Sequence, residues 1–179
     1  MFEGIIRIIE DRGCEKSMNF FRDLLDDSDF CPQALKAYLP DPLPTRFYDR
    51  RVLFTRCDIE AVLATWPPGV FTLPHNHGIH PTFGVVKVLT GTIENRIFAP
   101  DQNRIRPAGI SHFQAGDILK VPLKLIHAMG NPHSEIAVSL HIYSPKIEQV
   151  SYWDPLSFEP LRDPQHNSGP IQWPTSYAS

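Results

Sequence analysis

The chain has 179 residues with a formal net charge of −3, and 42% of its residues are hydrophobic against 21% charged. Such a length and balance describe a soluble globular protein that can bury a core without covalent staples. A sequence pI near 6.2 offers no electrostatic basis for nucleic-acid binding.

Residues up to about Leu39 read as helical. Phe2, Ile5, Ile6 and Ile9 recur at helical spacing, Phe20, Phe21, Leu24 and Leu25 form a second apolar stripe, and Pro32 suits the first turn of a third short helix through Leu35 and Tyr38. Arg7, Glu10, Asp11 and Arg12 interrupt the first isoleucines, so neither a signal peptide nor a membrane segment is expected. Pro40-Asp-Pro-Leu-Pro44 ends this segment, which we bound at residues 1–44 and expect to pack on the remainder of the chain.

From Thr45 the pattern changes to short β-branched runs: 52–54, 61–64, 85–89, 93–98, 118–121 and 136–143. Pro-Pro-Gly, Thr-Gly and Ala-Gly-Asp turn signals separate them. Closely spaced strands with such punctuation, in a chain holding 18 prolines, predict a mainly β barrel or sandwich over residues 45–150. Residues 151–179 are rich in proline and polar side chains, and from about Gln165 they are expected to wrap the surface or be disordered. Cys14, Cys31 and Cys57 are odd in number and lack C-x-x-C spacing, so no disulfide is expected and a reducing cytoplasm is the simpler setting.

Two histidine groups stand out. Pro74-His75-Asn76-His77-Gly78 places two imidazoles two residues apart, and on an extended strand these share a face. Ser139-Leu140-His141-Ile142-Tyr143 does the same for a serine, a histidine and a tyrosine, with His127 between the groups. Gly69-x5-His75-x-His77 with Gly91 beyond, then Gly116-x5-Pro122-x4-His127-x3-Asn131, match the two motifs of the cupin superfamily. The turns these residues form would close a jelly-roll barrel and bring His75, His77 and His127 together. Neutral imidazoles suit iron, nickel, copper or zinc, and three of them leave coordination positions open for substrate. No carboxylate follows the His-x-His pair before Glu94, which lies beyond the Gly91 turn and out of reach. Three neutral ligands leave a dication uncompensated, a setting that favours an anionic donor such as a thiolate. His80, His112, His133 and His166 have no partner at ligand spacing and are expected at the surface or in loops.

From about Tyr48 to Lys146 the chain resembles the cysteine dioxygenases, thiol dioxygenases of the cupin superfamily. Tyr48-Asp-Arg50, the His75/His77 pair, Lys87-Val-Leu-Thr-Gly91, His127 and above all Ser139-Leu-His-Ile-Tyr-Ser-Pro145 carry the likeness. The resemblance implies a double-stranded β-helix with a helical N-terminal segment, and one Fe(II) per chain held by His75, His77 and His127. It also implies a small thiol and O2 as partners, with neither nucleic acid nor membrane, in a monomer or small homo-oligomer. Arg50 aligns with the arginine that holds the substrate carboxylate, a task suited to its forked donors. Period two puts Arg50 and Arg51 on opposite faces, so only one can enter the barrel. Tyr143 aligns with the active-site tyrosine, His141 would bond its hydroxyl, and Ser139 would orient His141.

Two departures from the family pattern are visible. Where some members carry a cysteine joined to the tyrosine, this chain has Gly84, so no thioether is expected, and the 78–83 loop is slightly longer than usual. The expected activity is oxidation of L-cysteine by O2 to cysteine sulfinate. A dioxygenase for another small thiol acid such as mercaptopropionate, a non-catalytic metal-binding cupin sensor, and a zinc or manganese cupin lyase or isomerase stay open.

Overall fold

The computed structural model describes residues 2–26, 30–78 and 82–174. Among the described residues three α-helices lead: α1 (Glu3–Asp11), α2 (Met18–Leu25) and α3 (Pro32–Leu35), the last running into a 3-10 turn over Lys36–Tyr38. Local chemistry sets their starts. The Ser17 hydroxyl accepts from the Phe20 N–H at 3.1 Å and so caps α2, while Pro32 opens α3 behind Cys31. No helix among the described residues is long and apolar enough to cross a membrane.

Twelve strands among the described residues come after them: β1 (Asp49–Arg56), β2 (Ile59–Trp66), β3 (Val70–Thr72), β4 (Phe83–Thr90), β5 (Thr92–Asp101), β6 (Arg104–Gln114), β7 (Ile118–Val121), β8 (Ile126–Gly130), β9 (Ala137–Ser144), β10 (Tyr152–Trp153), β11 (Pro160–Leu161) and β12 (Ser168–Pro170). They form one five-stranded sheet in the order β1-β2-β9-β4-β7 and another in the order β12-β3-β8-β5-β6, with β10 and β11 as a short hairpin. The two sheets face one another as a double-stranded β-helix, the jelly-roll that the motifs imply.

β2 and β9 are buried along their whole length, because the sheet carrying them is covered on both sides. Side chains therefore sort by period two. Ile59, Ala61, Leu63, Val85, Leu140 and Ile142 face outward into one apolar cluster with Ile5, Ile9, Phe21, Leu24 and Leu25 of the helices. Ala64, Trp66, Val86, Val88 and Tyr143 face the other way, into the barrel. Phe21 and Phe83 stack at 5.3 Å between ring centroids. Lys87 secures the same contact by donating to the Leu25 carbonyl at 3.0 Å and to Asp26 at 2.7 Å.

Several elements differ from the expectation. β3, β6 and β8 carry weak strand signals. β6 reads Arg-Ile-Arg-Pro-Ala-Gly-Ile-Ser-His-Phe-Gln and is mostly exposed. Its Pro107 is tolerated because β6 is an edge strand and sits beside a register shift opposite Ile97 and Phe98. Beyond Gln165 the chain does not simply trail off, since β12 pairs with β3. Cys14 and Cys57 form a disulfide. The expectation of none considered count and spacing only, which are silent on two turns, after α1 and between β1 and β2, that meet in space. The pairing removes the cysteine-based reason for a reducing compartment.

Phe21 is fully buried in the helix–sheet cluster. Phe21→Ala should lower the unfolding free energy by about 3–5 kcal/mol, read as a shift in the urea midpoint. A loss under about 1 kcal/mol would mean that the helices contribute little to the core.

Candidate metal centre and active site

His127 lies on β8, whereas His75 and His77 lie in the extended stretch after β3 rather than on a strand proper. His75 is nevertheless bridged to His127, its N–H donating to the His127 carbonyl at 2.8 Å and its carbonyl accepting from the His127 N–H at 2.9 Å. Asn76 ties the same stretch to the segment before β10, because its Oδ1 accepts from the N–H groups of Gly78 and Ser151, each at 3.0 Å. Gly78 has φ +95° and lies against the Glu148 carbonyl, where any Cβ would collide. The two histidines are thus held by backbone pairing on both sides.

The ligand atoms of His75, His77 and His127 all lie within 4.8 Å of one another. The Leu73 carbonyl can only accept, so His75 Nδ1 donates to it at 2.8 Å. His127 Nδ1 donates to Asn95 Oδ1 at 2.8 Å. Both bonds leave Nε2 as the lone-pair donor, the arrangement metal-binding histidines need. His77 is placed by packing, its ring 4.9 Å from that of His127 and 5.3 Å from that of Tyr143. Burial, opposed by the Leu73 carbonyl, pushes His75 down to about 4. Burial first and neighbouring rings second hold His77 and His127 well below the ordinary imidazole range. All three are therefore neutral at pH 7.

These rings fit a metal ion. The Nε2 atoms of His77 and His127 stand 3.0 Å apart, and two facing lone pairs at that distance repel unless a cation or proton lies between them. Nitrogens bound at about 2.1 Å to one ion, at right angles, would be separated by about 3.0 Å. Glu94 takes no part: it is buried on β5 between Arg96 and His112, the latter at 2.9 Å.

Ser139, His141 and Tyr143 project from β9 into the same interior. Ser139 Oγ and His141 Nε2 are 2.7 Å apart, as are His141 Nδ1 and the Tyr143 hydroxyl. Burial first, then the Arg50 guanidinium, pushes His141 down to about 3. Burial also raises the Tyr143 hydroxyl far above the ordinary phenol range, outweighing the opposing pull of Arg50. The relay is thus a neutral imidazole and a protonated phenol. Gly84 lies opposite Tyr143 on β4, and a Cβ there would come 2.5 Å from the tyrosine ring. No cysteine stands beside Tyr143: Cys14 and Cys57 are joined to each other outside the barrel, and Cys31 caps α3.

Arg50 turns inward and Arg51 outward. Arg51 bonds Asp49 at 2.9 Å and reaches the carbonyls of Tyr38 and Leu39. Arg50 lines a cavity of about 50 Å³ together with the three histidines, His141, Tyr143, Tyr48 and Trp66. The space widens past Tyr152 and Asn167 into a pocket of about 190 Å³, and then into an outer depression of about 610 Å³ walled by residues 163–168. A broader cleft of about 730 Å³ touches the opposite edge of His77. An inner chamber this small admits only a ligand of a few heavy atoms.

Two contacts here went unread in the sequence. Glu60 forms an ion pair with Arg50, and the Trp66 indole donates to Ser139 Oγ at 2.8 Å. The signal for both was period two along β2: Glu60, Val62, Ala64 and Trp66 share the face that opposes Tyr143, His141 and Ser139, so an acidic residue in that apolar run had to meet a cation inside. Of the histidines set aside, His112 is a largely exposed strand residue bound to Glu94, His166 packs on Phe47 at 4.3 Å, and His133 lies in the turn that Asn131 closes at 3.0 Å. His80 and its neighbours at 79 and 81 in the 78–83 loop fall outside the described residues.

Among solved structures the chain is similar to an uncharacterized conserved protein with a double-stranded beta-helix domain from Klebsiella pneumoniae, at TM-score 0.52 and 18% identity over 66% of this chain and 87% of that one. This likeness concerns the fold alone. It is also similar to oxalate decarboxylase from Bacillus subtilis, at TM-score 0.43 and 26% identity, covering 52% of this chain and 23% of that one. The Cnp3 cupin domain from Schizosaccharomyces pombe gives TM-score 0.45 and 15% identity over 54% of this chain and 60% of that one. Residues 43–155 match the family described as cysteine dioxygenase type I. That stretch, well over half the sequence, holds Arg50, the histidine cage and the whole relay, and the chain belongs to the cysteine dioxygenase type I family.

Proposed function

We propose that this chain is a ferrous-iron thiol dioxygenase that converts L-cysteine and O2 to cysteine sulfinate, with one iron per chain on His75, His77 and His127. The observation that carries this reading is the convergence of three neutral imidazoles, Arg50 and the Tyr143 hydroxyl on one small cavity. The reaction balances with no further reductant: the thiol sulfur is oxidised and both atoms of O2 end on it. Iron held by His75, His77 and His127 would supply the redox chemistry.

The protein's own residues bind, orient and exclude water. Arg50 offers planar donors to the substrate carboxylate, while Glu60, holding another edge of the same guanidinium, keeps it turned into the cavity. Tyr143, protonated at neutral pH, donates from the facing wall to the carboxylate or to an oxygen of the reacting group. Val62, Ala64, Met129 and Ile147 add apolar surface to the lining, which strengthens these polar contacts by excluding water. A carboxylate clamp beside a cage without carboxylates suits a small thiol acid. Cysteine and mercaptopropionate differ there by one amino group.

The direct test is aerobic incubation of iron-loaded protein with cysteine, mercaptopropionate and cysteamine, following O2 uptake and product mass. Cysteine sulfinate as the main product supports the reading; preference for mercaptopropionate would change the substrate, and consumption of no thiol would end the proposal. Arg50→Ala should raise the KM for cysteine by about tenfold or more and that for cysteamine, which lacks a carboxylate, by less than about threefold; equal losses would reject the clamp. Tyr143→Phe should leave iron content unchanged and lower turnover by about tenfold, and unaltered turnover would remove the phenol from the mechanism.

A further inference from the structure

We propose that Trp66 is a positioning residue that sets the direction of the Ser139–His141–Tyr143 hydrogen bonds, so that Tyr143 offers its proton, not a lone pair, to the cavity. Its catalytic consequence rests on the dioxygenase reading, but the hydrogen-bond argument does not. An indole N–H can only donate, and Trp66 Nε1 donates to Ser139 Oγ at 2.8 Å. Ser139 is fully buried, and the remaining polar contact of its Oγ among the described residues is His141 Nε2 at 2.7 Å. The serine proton therefore has one acceptor, His141 Nε2. That makes Nε2 the bare nitrogen, places the ring proton on Nδ1, and directs it to the Tyr143 oxygen at 2.7 Å. With that lone pair engaged, the phenol proton is free to point at the cavity that Tyr143 lines.

The reversed chain, with Tyr143 donating to Nδ1 and Nε2–H donating to serine, would leave the Ser139 proton buried without an acceptor. An unmade buried hydrogen bond disfavours that arrangement by on the order of tenfold or more. With a weak acceptor such as sulfur in place of the indole N–H, the Ser139 proton could turn to it, and both directions would become comparable. Trp66 cannot swing away to permit this. It is fully buried, stacks on Tyr48 at 4.7 Å with ring planes 12° apart, and its carbonyl accepts from Asn131 Nδ2 at 3.1 Å.

The test replaces Trp66 by benzothienylalanine, which exchanges the N–H for sulfur at nearly constant shape, with Trp66→Phe as the simpler variant. Nitrogen-15 chemical shifts of His141 in zinc-loaded protein, which is diamagnetic, report which ring nitrogen carries the proton. The parent protein should show the Nδ1–H form. The isostere should gain at least several-fold in the Nε2–H form, with metal content unchanged, and in the iron-loaded enzyme kcat should fall several-fold while KM moves less than about twofold. An unchanged His141 tautomer in a folded, metal-loaded isostere would overturn the proposal, as would an Nε2–H ring in the parent. Should the Phe variant fail to fold, the isostere decides. Should the parent oxidise no thiol, the tautomer measurement still stands and only the dioxygenase reading falls.

Discussion

Everything at this site depends on β9 being buried on both faces. A strand in that position cannot hide polar groups by turning them outward, because Val138, Leu140 and Ile142 already fill the helix side. Ser139, His141 and Tyr143 must then satisfy one another or find partners across the barrel. The neighbouring strand supplies them: Trp66 at one end of the relay, and Glu60 holding Arg50 at the other. A slip of one residue between β2 and β9 would send the relay into the helical layer, where nothing could pair with it. The apolar packing of the N-terminal helices, remote from any reacting group, is therefore what keeps the polar chain in register.

The same constraint shapes the electrostatics. Desolvation strips charge from every imidazole in the barrel, and the cage nitrogens become donors because protonation is costly there. Arg50 enters paired with Glu60, and it sits where the chamber begins to open. Water exclusion and the neutrality of the imidazoles thus share one cause, the closure of two sheets around a narrow interior.

The sequence carried the cage and the relay because each is a local pattern: His-x-His, and Ser-x-His-x-Tyr on a strongly β-branched run. It carried the barrel through glycine and proline turns at tight corners. Trp66 and Glu60 were less legible, since their roles arise from cross-strand pairing, which no single segment encodes. β6 was hidden for another reason: an edge strand facing solvent needs no apolar alternation, and Pro107 can sit in it without breaking a ladder bond. The Cys14–Cys57 pair shows the limit of counting, since covalent partners 43 residues apart are chosen by how turns meet.

The outer part of the approach to the chamber is built from segments that hold none of the three clustered histidines: Phe47 and Tyr48 before β1, Tyr152 on β10, and the stretch from Asp163 to Ser168 that β12 fastens to β3. Admission and chemistry are consequently specified by separate segments. On the proposed function, drift in that outer wall would change which molecules are admitted without moving any of the three clustered imidazoles.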